Sequence, residues 1–274
     1  MPSDNSVAAA TPNGFLMFDV VFVLYNRCIS TIASLQSLCD SSAIQSIVVC
    51  DNSTDGTILQ RNESSATPKV KYLNMHGNTG LSHAYNAALQ FLTSEYVLIL
   101  DDDTSIPTGY IDTVLGYIQR YNNADILLPI VKSAKIIMSP CKKNGLRFSQ
   151  LLDITNLPPQ ISAINSGMVV KRSLYQHIKY LESLFLYIVD HAFMDDAREY
   201  GARVVIMPDA VILQDYSRET DDFDAATRRF QITKRDNRVY YSKIKFGKAY
   251  CEAQLLYWKI KSCFHYRTFR ALAW

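Results

Sequence analysis

The chain of 274 residues is 48% hydrophobic, 20% charged and 11% aromatic, which is enough for one large core or two small ones and excludes fibrous and globally disordered classes. Its net charge of +2 is unevenly spread: in residues 228–274 twelve Lys and Arg face two acids, net +10, which leaves net −8 on the first 227 residues. An acidic body argues against wrapping nucleic acid over the whole surface, so no nucleic-acid partner is expected.

Six cysteines (Cys28, Cys39, Cys50, Cys141, Cys251, Cys263) form no C-x-x-C pair, the usage of a reduced, cytosolic chain. The opening MPSDNSVAAATPNG has neither a basic n-region nor a long apolar core, and no later stretch reaches the ~18 apolar residues that span a bilayer. The expectation is therefore a cytoplasmic protein with no secretion signal and no transmembrane helix, whose residues 1–14 form a loose, disordered arm.

Short Val/Ile/Leu-rich runs at 19–25, 46–51, 70–74 and 96–101 have the length of buried strands. Helical patterns lie between them at about 29–39, 54–60 and 80–92, and another follows Pro107 as far as Tyr121. This alternation predicts an α/β fold with a parallel βαβ-type sheet. In such sheets ligands bind beyond the carboxyl ends of the strands, which here carry Tyr25-Asn26, Asp51-Asn52-Ser53 and Asp101-Asp102-Asp103. Neither a G-x-G-x-x-G after the first strand nor a G-x-x-x-x-G-K-[ST] is present, which removes support for dinucleotide and P-loop sites.

The strongest local signal is LILDDDTSIP, a buried strand ending in three carboxylates. Asp101 and Asp103 alternate, so along an extended chain they point to one side, and two hard oxygen ligands there suit Mg²⁺ or Mn²⁺ bridging nucleotide phosphates. The plainer alternative is a solvated loop whose aspartates cap the next helix. VVCDNSTDGT places Asp51 where it can accept hydrogen bonds from a base or ribose, although the segment is also ordinary turn chemistry. GNTGLSHAYNAAL enters a helix of small residues that permit close backbone approach; its His83, like His76 before it, lacks metal-like spacing and reads as structural or incidental.

Together these segments resemble family 2 glycosyltransferases of the GT-A fold, and within them the rhamnosyltransferase-like branch. The family's first strand closing on Tyr-Asn is matched by Tyr25 and Asn26, its Asp-Asn-Ser turn by Asp51, Asn52 and Ser53, and its N-x-G-[IF]-[AS]-x-A-x-N stretch by Asn78, Gly80, Leu81, Ser82, Ala84 and Asn86. Its D-x-D-T-x-x-P run is matched by Asp101, Asp103, Thr104 and Pro107. Further along, INSGMVVKRSLY resembles the family's Ser-Gly strand near sugar and acceptor, through Asn165, Ser166 and Gly167, and Asp190 in LYIVDHAF matches the aspartate that acts as catalytic base in relatives. Without the resemblance, a helix N-cap would be the preferred reading of Asp190.

The resemblance implies a Rossmann-like, mostly parallel sheet flanked by helices in residues 15–227, with a nucleotide-binding half at about 15–130 and an acceptor half at about 131–227. It implies an inverting transferase: Asp190 as base; Tyr25, Asn26, Asp51, Asn52, Asn78, Gly80, Leu81, Ala84, Asn86, Asp101 and Asp102 around the nucleotide sugar; Asn165, Ser166, Gly167 and His191 near sugar and acceptor; and Mg²⁺ or Mn²⁺ on Asp103 with Asp101 or Asp215. The implied donor is dTDP-L-rhamnose, with a UDP-sugar as alternative, and the implied acceptor a lipid-linked or surface-polysaccharide glycan. Two positions depart from the pattern. Gln214 and Asp215 stand where relatives place a metal-binding His, and Ala192 replaces an acidic residue two places after Val-Asp.

Residues 228–274 form a basic helical extension in which Leu255, Leu256, Trp258, Ile260, Phe264 and Phe269 mix with Lys259, Lys261, Arg267 and Arg270. That mixture suits a helix lying in the headgroup layer of an anionic membrane, which would place the protein peripherally on the inner face. It equally suits a helix pair packed on the body with a solvated basic face. Two rival functions remain at this level: an aspartyl-phosphate phosphatase using Asp101 as nucleophile, and a membrane-docked sugar-nucleotide binder without turnover.

Overall fold

A computed structural model describes residues 16–65, 67–133, 136–154, 158, 160–214 and 222–274; the expected arm at 1–14 and Asp215 lie outside the described residues. The chain opens with the alternation anticipated above: β1 (Phe18–Leu24), α1 (Ala33–Asp40), β2 (Ile44–Asp51), α2 (Gly56–Ser64), β3 (Val70–Asn74), α3 (Leu81–Ala88), β4 (Tyr96–Asp101), α4 (Tyr110–Arg120) and β5 (Ile126–Lys132). β6 (Ile137–Ser139) follows, then the short strands β7 (Cys141–Asn144), β8 (Arg147–Gln150) and β9 (Ile161–Ser162), β10 (Val169–Lys171), α5 (Val189–Tyr200) and β11 (Val204–Leu213). Two long helices, α6 (Phe223–Ser242) and α7 (Gly247–His265), close the chain with a final 3₁₀ turn at Phe269–Ala273.

The main sheet has the order β11-β5-β10-β4-β1-β2-β3, with β6 on β5. β1 pairs in parallel with both β2 and β4, and β11 pairs in parallel with β5; β10 is inserted antiparallel between β4 and β5. β7, β8 and β9 form a second, three-stranded antiparallel sheet. This is the mostly parallel, helix-flanked sheet expected of a GT-A fold.

Every residue of β1 is buried, because helices cover both sheet faces. Phe18, Val20, Phe22 and Leu24 face the side covered by α1 and α4, while Val21 and Val23 face the side of α3, α5, α6 and α7. Asp19 is tolerated within this run because its carboxylate accepts hydrogen bonds from Ser46 Oγ and from the backbone N–H of Thr93 and Ser94.

Several helices differ from their sequence expectation at the ends. The first breaks at Ile32, whose extended backbone (φ −92°, ψ 99°) separates a 3₁₀ turn at Ile29–Thr31 from α1. α2 starts late because Asp55 caps it, accepting from the N–H of Thr57 and Ile58. α6 runs straight through the 227/228 boundary set by the charge step, capped at Asp222. Phe230, Tyr240, Tyr241, Cys251, Leu255 and Trp274 join the same core as the sheet, so one face of the basic extension packs on the body. All six cysteines are free thiols, and among the described residues no helix is long and apolar enough to cross a membrane.

Candidate active site

The strand order reverses between β1 and β4, and the cleft of an open α/β sheet lies at such a switch point. The ends of these two strands are tied together. Asp102 accepts from the N–H of Tyr25 at 3.2 Å and lies 3.6 Å from Arg27. Burial pushes its carboxyl above the ordinary value despite that hydrogen bond and the Arg27 charge. Tyr25 itself stands 52% exposed over the strand ends. Asn26, at φ 51°, accepts from the N–H of Thr54 and Asp55 and donates its own N–H to Ser53 Oγ, joining the ends of β1 and β2.

Asp51, expected as a nucleotide contact, has both carboxylate oxygens engaged within the chain. It is fully buried, with one oxygen taken by Ser53 N–H at 2.9 Å and the other by Asn62 at 2.7 Å and Tyr72 at 3.0 Å. Asn52 is buried too and turns to the next turn, donating to Gly80 O and accepting from the N–H and hydroxyl of Thr79. Asn78 accepts from Gly80 N–H, so the exposed rim of the 78–81 turn is supported from below by Asn52. Ala84 is fully buried, with its carbonyl accepting from the Cys50 thiol. Asn86, on α3, bonds Tyr180 O and N–H and Glu182.

Asp101 and Asp103 do not share a face as an extended chain would require, because the strand ends at Asp101 and the chain turns immediately. Asp101 directs its carboxylate inward, accepting from Ser166 Oγ at 2.5 Å and Tyr85 OH at 3.2 Å. Burial, with the nearby charges of Asp103 and Asp190, pushes its pKa up to about 6 against those two hydrogen bonds. Asp103 is exposed and accepts from the Gln214 side-chain amide at 3.1 Å. The Gln214 Oε1 is buried and has no hydrogen-bond partner among the described residues.

A divalent cation fits this donor set. Among the described residues no three His, Cys, Asp or Glu side chains cluster as a full metal cage. Mg²⁺, however, is commonly held by one or two carboxylates with substrate phosphates and water, and the Asp103 carboxylate and the Gln214 side-chain oxygen are both hard oxygen donors.

Asp190 occupies the first turn of α5, but it is not the N-cap, which is Ile188 at φ 60°. Its Oδ1 accepts from the following N–H, that of His191, at 2.8 Å. Its charge is among the influences that raise the Asp101 carboxyl and the Tyr85 and Tyr180 hydroxyls, after burial. A β-branched residue in the left-handed region is strained, and the strain sits two residues before Asp190. The preceding loop is clamped from two sides. Leu81 N–H donates to Phe185 O, and the fully buried Asp236 of α6 accepts from the N–H of Phe185, Leu186 and Tyr187 at 3.0, 2.8 and 2.8 Å.

His191 is held by Ser162 Oγ at Nδ1, 2.7 Å, and stacks on Phe148 with ring centroids 4.2 Å apart. The small sheet thus sets its orientation. Asn165 accepts from Tyr180 OH, and Gly167, at φ 78°, leaves no room for a Cβ, which would lie 2.2 Å from Ile212. Tyr85, Ser162, Phe148 and Asp236 escape sequence reasoning; the one available signal is a tyrosine among the small residues of LSHAYNAA.

The model of glycosyl transferase family 2 matches residues 19–178, more than half of the chain, including the ends of β1, β2 and β4. The chain belongs to glycosyl transferase family 2. The solved structures similar to this transferase include residues 1–349 of TarS from S. aureus, at 19% identity and TM-score 0.52 over 88% of this chain and 69% of that one. The same segment in complex with UDP-GlcNAc is 17% identical, with TM-score 0.53 over 88% and 70% of the two chains. The mannosyltransferase PcManGT from Pyrobaculum calidifontis, in complex with GDP-Man and Mn²⁺, is 17% identical with TM-score 0.54 over 100% of this chain and 78% of that one. At such identities the likeness establishes the fold alone. No curated protein sequence matches the chain significantly.

Proposed function

We propose that this family 2 transferase is inverting. An acceptor hydroxyl attacks the anomeric carbon of a nucleotide-diphosphate sugar, the bond from that carbon to the diphosphate breaks, and Asp190 takes the hydroxyl proton. What supports this reading is that Asp101 and Asp103 stand at the end of β4 at the β1/β4 switch point and that the charges of both Asp103 and Asp190 raise the Asp101 carboxyl. The nucleotide would lie over Tyr25, Asn26 and the 78–81 turn. Asp51 and Asn52 support that floor from inside, and Asp101 anchors Ser166 and so the 165–167 segment where the sugar would sit.

Asp103 and Gln214 are the residues that would hold Mg²⁺ or Mn²⁺, with Asp215 adjacent in sequence. When bound, the ion supplies positive charge to the departing diphosphate. The phosphatase alternative is removed by family membership and by the inward-turned, doubly hydrogen-bonded Asp101 carboxylate.

The proposed donor is dTDP-L-rhamnose, from the sequence resemblance, and the acceptor a hydroxyl of a lipid-linked or surface-polysaccharide glycan. A UDP-sugar carrying galactose, glucose or N-acetylglucosamine is the second reading, favoured by likeness to a TarS structure holding UDP-GlcNAc. Release of nucleoside diphosphate from a panel of donors, with glycan acceptors present, tests the proposal. Turnover is expected in the wild type and a fall of ~10²–10⁴ in Asp190→Asn at unchanged melting temperature. Equal rates in both proteins would refute the role of Asp190, and no turnover with any donor would favour the non-catalytic binder.

A further inference from the structure

α7 carries two apolar faces. Cys251 and Leu255 are buried against the body, whereas Leu256, Ile260 and Phe264 recur every fourth residue on an exposed face. A helix of a globular protein normally buries its only apolar stripe, so a second one has no partner within the described chain. It is continuous with the terminal turn. Phe264, Phe269 and Leu272 rim a cleft of about 420 Å³ floored by Ile260 and Cys263, and Phe264 and Phe269 are 78% and 83% exposed. Arg267 lines the cleft, exposed Lys261 and Arg270 adjoin its lining residues Ile260 and Phe269 in sequence, and no acidic residue occurs after Glu252.

We infer that this face docks on an anionic lipid bilayer, with Phe264, Phe269 and Leu272 entering the acyl boundary and Lys261, Arg267 and Arg270 meeting the headgroups. Charge decides between occupants. A second copy of the chain would meet the patch with itself across a two-fold axis and bring like cations together. Nucleic acid would satisfy the cations but leave the apolar rim wet. A bilayer takes both parts, since apolar burial and lipid charge act together on such faces. The inference is independent of the transfer reaction, because vesicle binding is measured without donor or acceptor.

The test is co-sedimentation of the full chain with phosphatidylglycerol-rich vesicles and with pure phosphatidylcholine vesicles. Binding is expected to the anionic vesicles, to weaken with salt, and to fall roughly fivefold for each basic residue removed. Two double variants separate the contributions: Phe264→Asp with Phe269→Asp, and Lys261→Glu with Arg267→Glu. All four side chains are exposed, so the circular-dichroism melt should stay at wild type while binding is lost. The proposal is overturned if the intact chain ignores anionic vesicles or if the Phe variant binds them undiminished. It is equally overturned if the Phe variant instead abolishes a concentration-dependent dimer, or if the basic variant loses an oligonucleotide complex that vesicles do not displace.

Discussion

Gly80 shows how one backbone position couples the 78–81 turn to the loop that leads to Asp190, the proposed base. Its φ of 87° and ψ of 167° lie in a region essentially reserved for glycine, and an added Cβ would fall 2.6 Å from Phe185 O. Gly80→Ala is therefore expected to destabilise the protein by about 1–3 kcal/mol or more in urea unfolding. A change below ~0.5 kcal/mol, the range of a neutral surface substitution, would show that the 185–188 loop is free to move. At this scale the sequence was partly legible. Tyr25, Asn26 and Asp103 stand at the exposed strand ends, where a polar residue after an apolar run is expected. What the sequence did not show is that Asp51, Asn52 and Asn86 also bond inward, because a strand-end or helix polar side chain can turn to backbone and to Tyr or Asn partners that only the fold brings near.

Among the elements, α6 has a role that its composition conceals. Its sequence reads as basic surface, yet Asp236 enters the interior and gathers three consecutive N–H groups of the loop leading to Asp190. Asp236→Ala should leave those donors without a partner, cost about 1–3 kcal/mol, and lower kcat more than donor affinity, because the loop leads to the proposed base and not to the proposed nucleotide contacts. Full kcat in this variant would remove Asp236 as a positioning residue. β1, β2 and β4 were legible because each holds at least four consecutive apolar residues, and β3 through Val70, Tyr72 and Leu73. The β7–β9 sheet was not, since CKKN, RFSQ and IS are too short and polar to show any periodicity, although Phe148 and Ser162 from it orient His191.

For the whole molecule, the split between an acidic body and a basic extension was visible in the sequence, but its boundary in the fold was not. α6 crosses the charge step and packs into the core, because a helix boundary follows caps and burial rather than net charge. The central claim is that the β1/β4 cleft binds a nucleotide-diphosphate sugar together with a divalent cation at Asp103. Thermal melting with a panel of such sugars, with Mn²⁺ or with chelator, tests it most directly, since a ligand at ~100 times its Kd adds about 2.7 kcal/mol to stability. The expected result is that one donor raises the melting temperature by several degrees with Mn²⁺, and that the rise disappears in chelator and in Asp103→Ala. The contradicting result is a melting temperature that no donor moves, or one that moves equally in chelator and in Asp103→Ala.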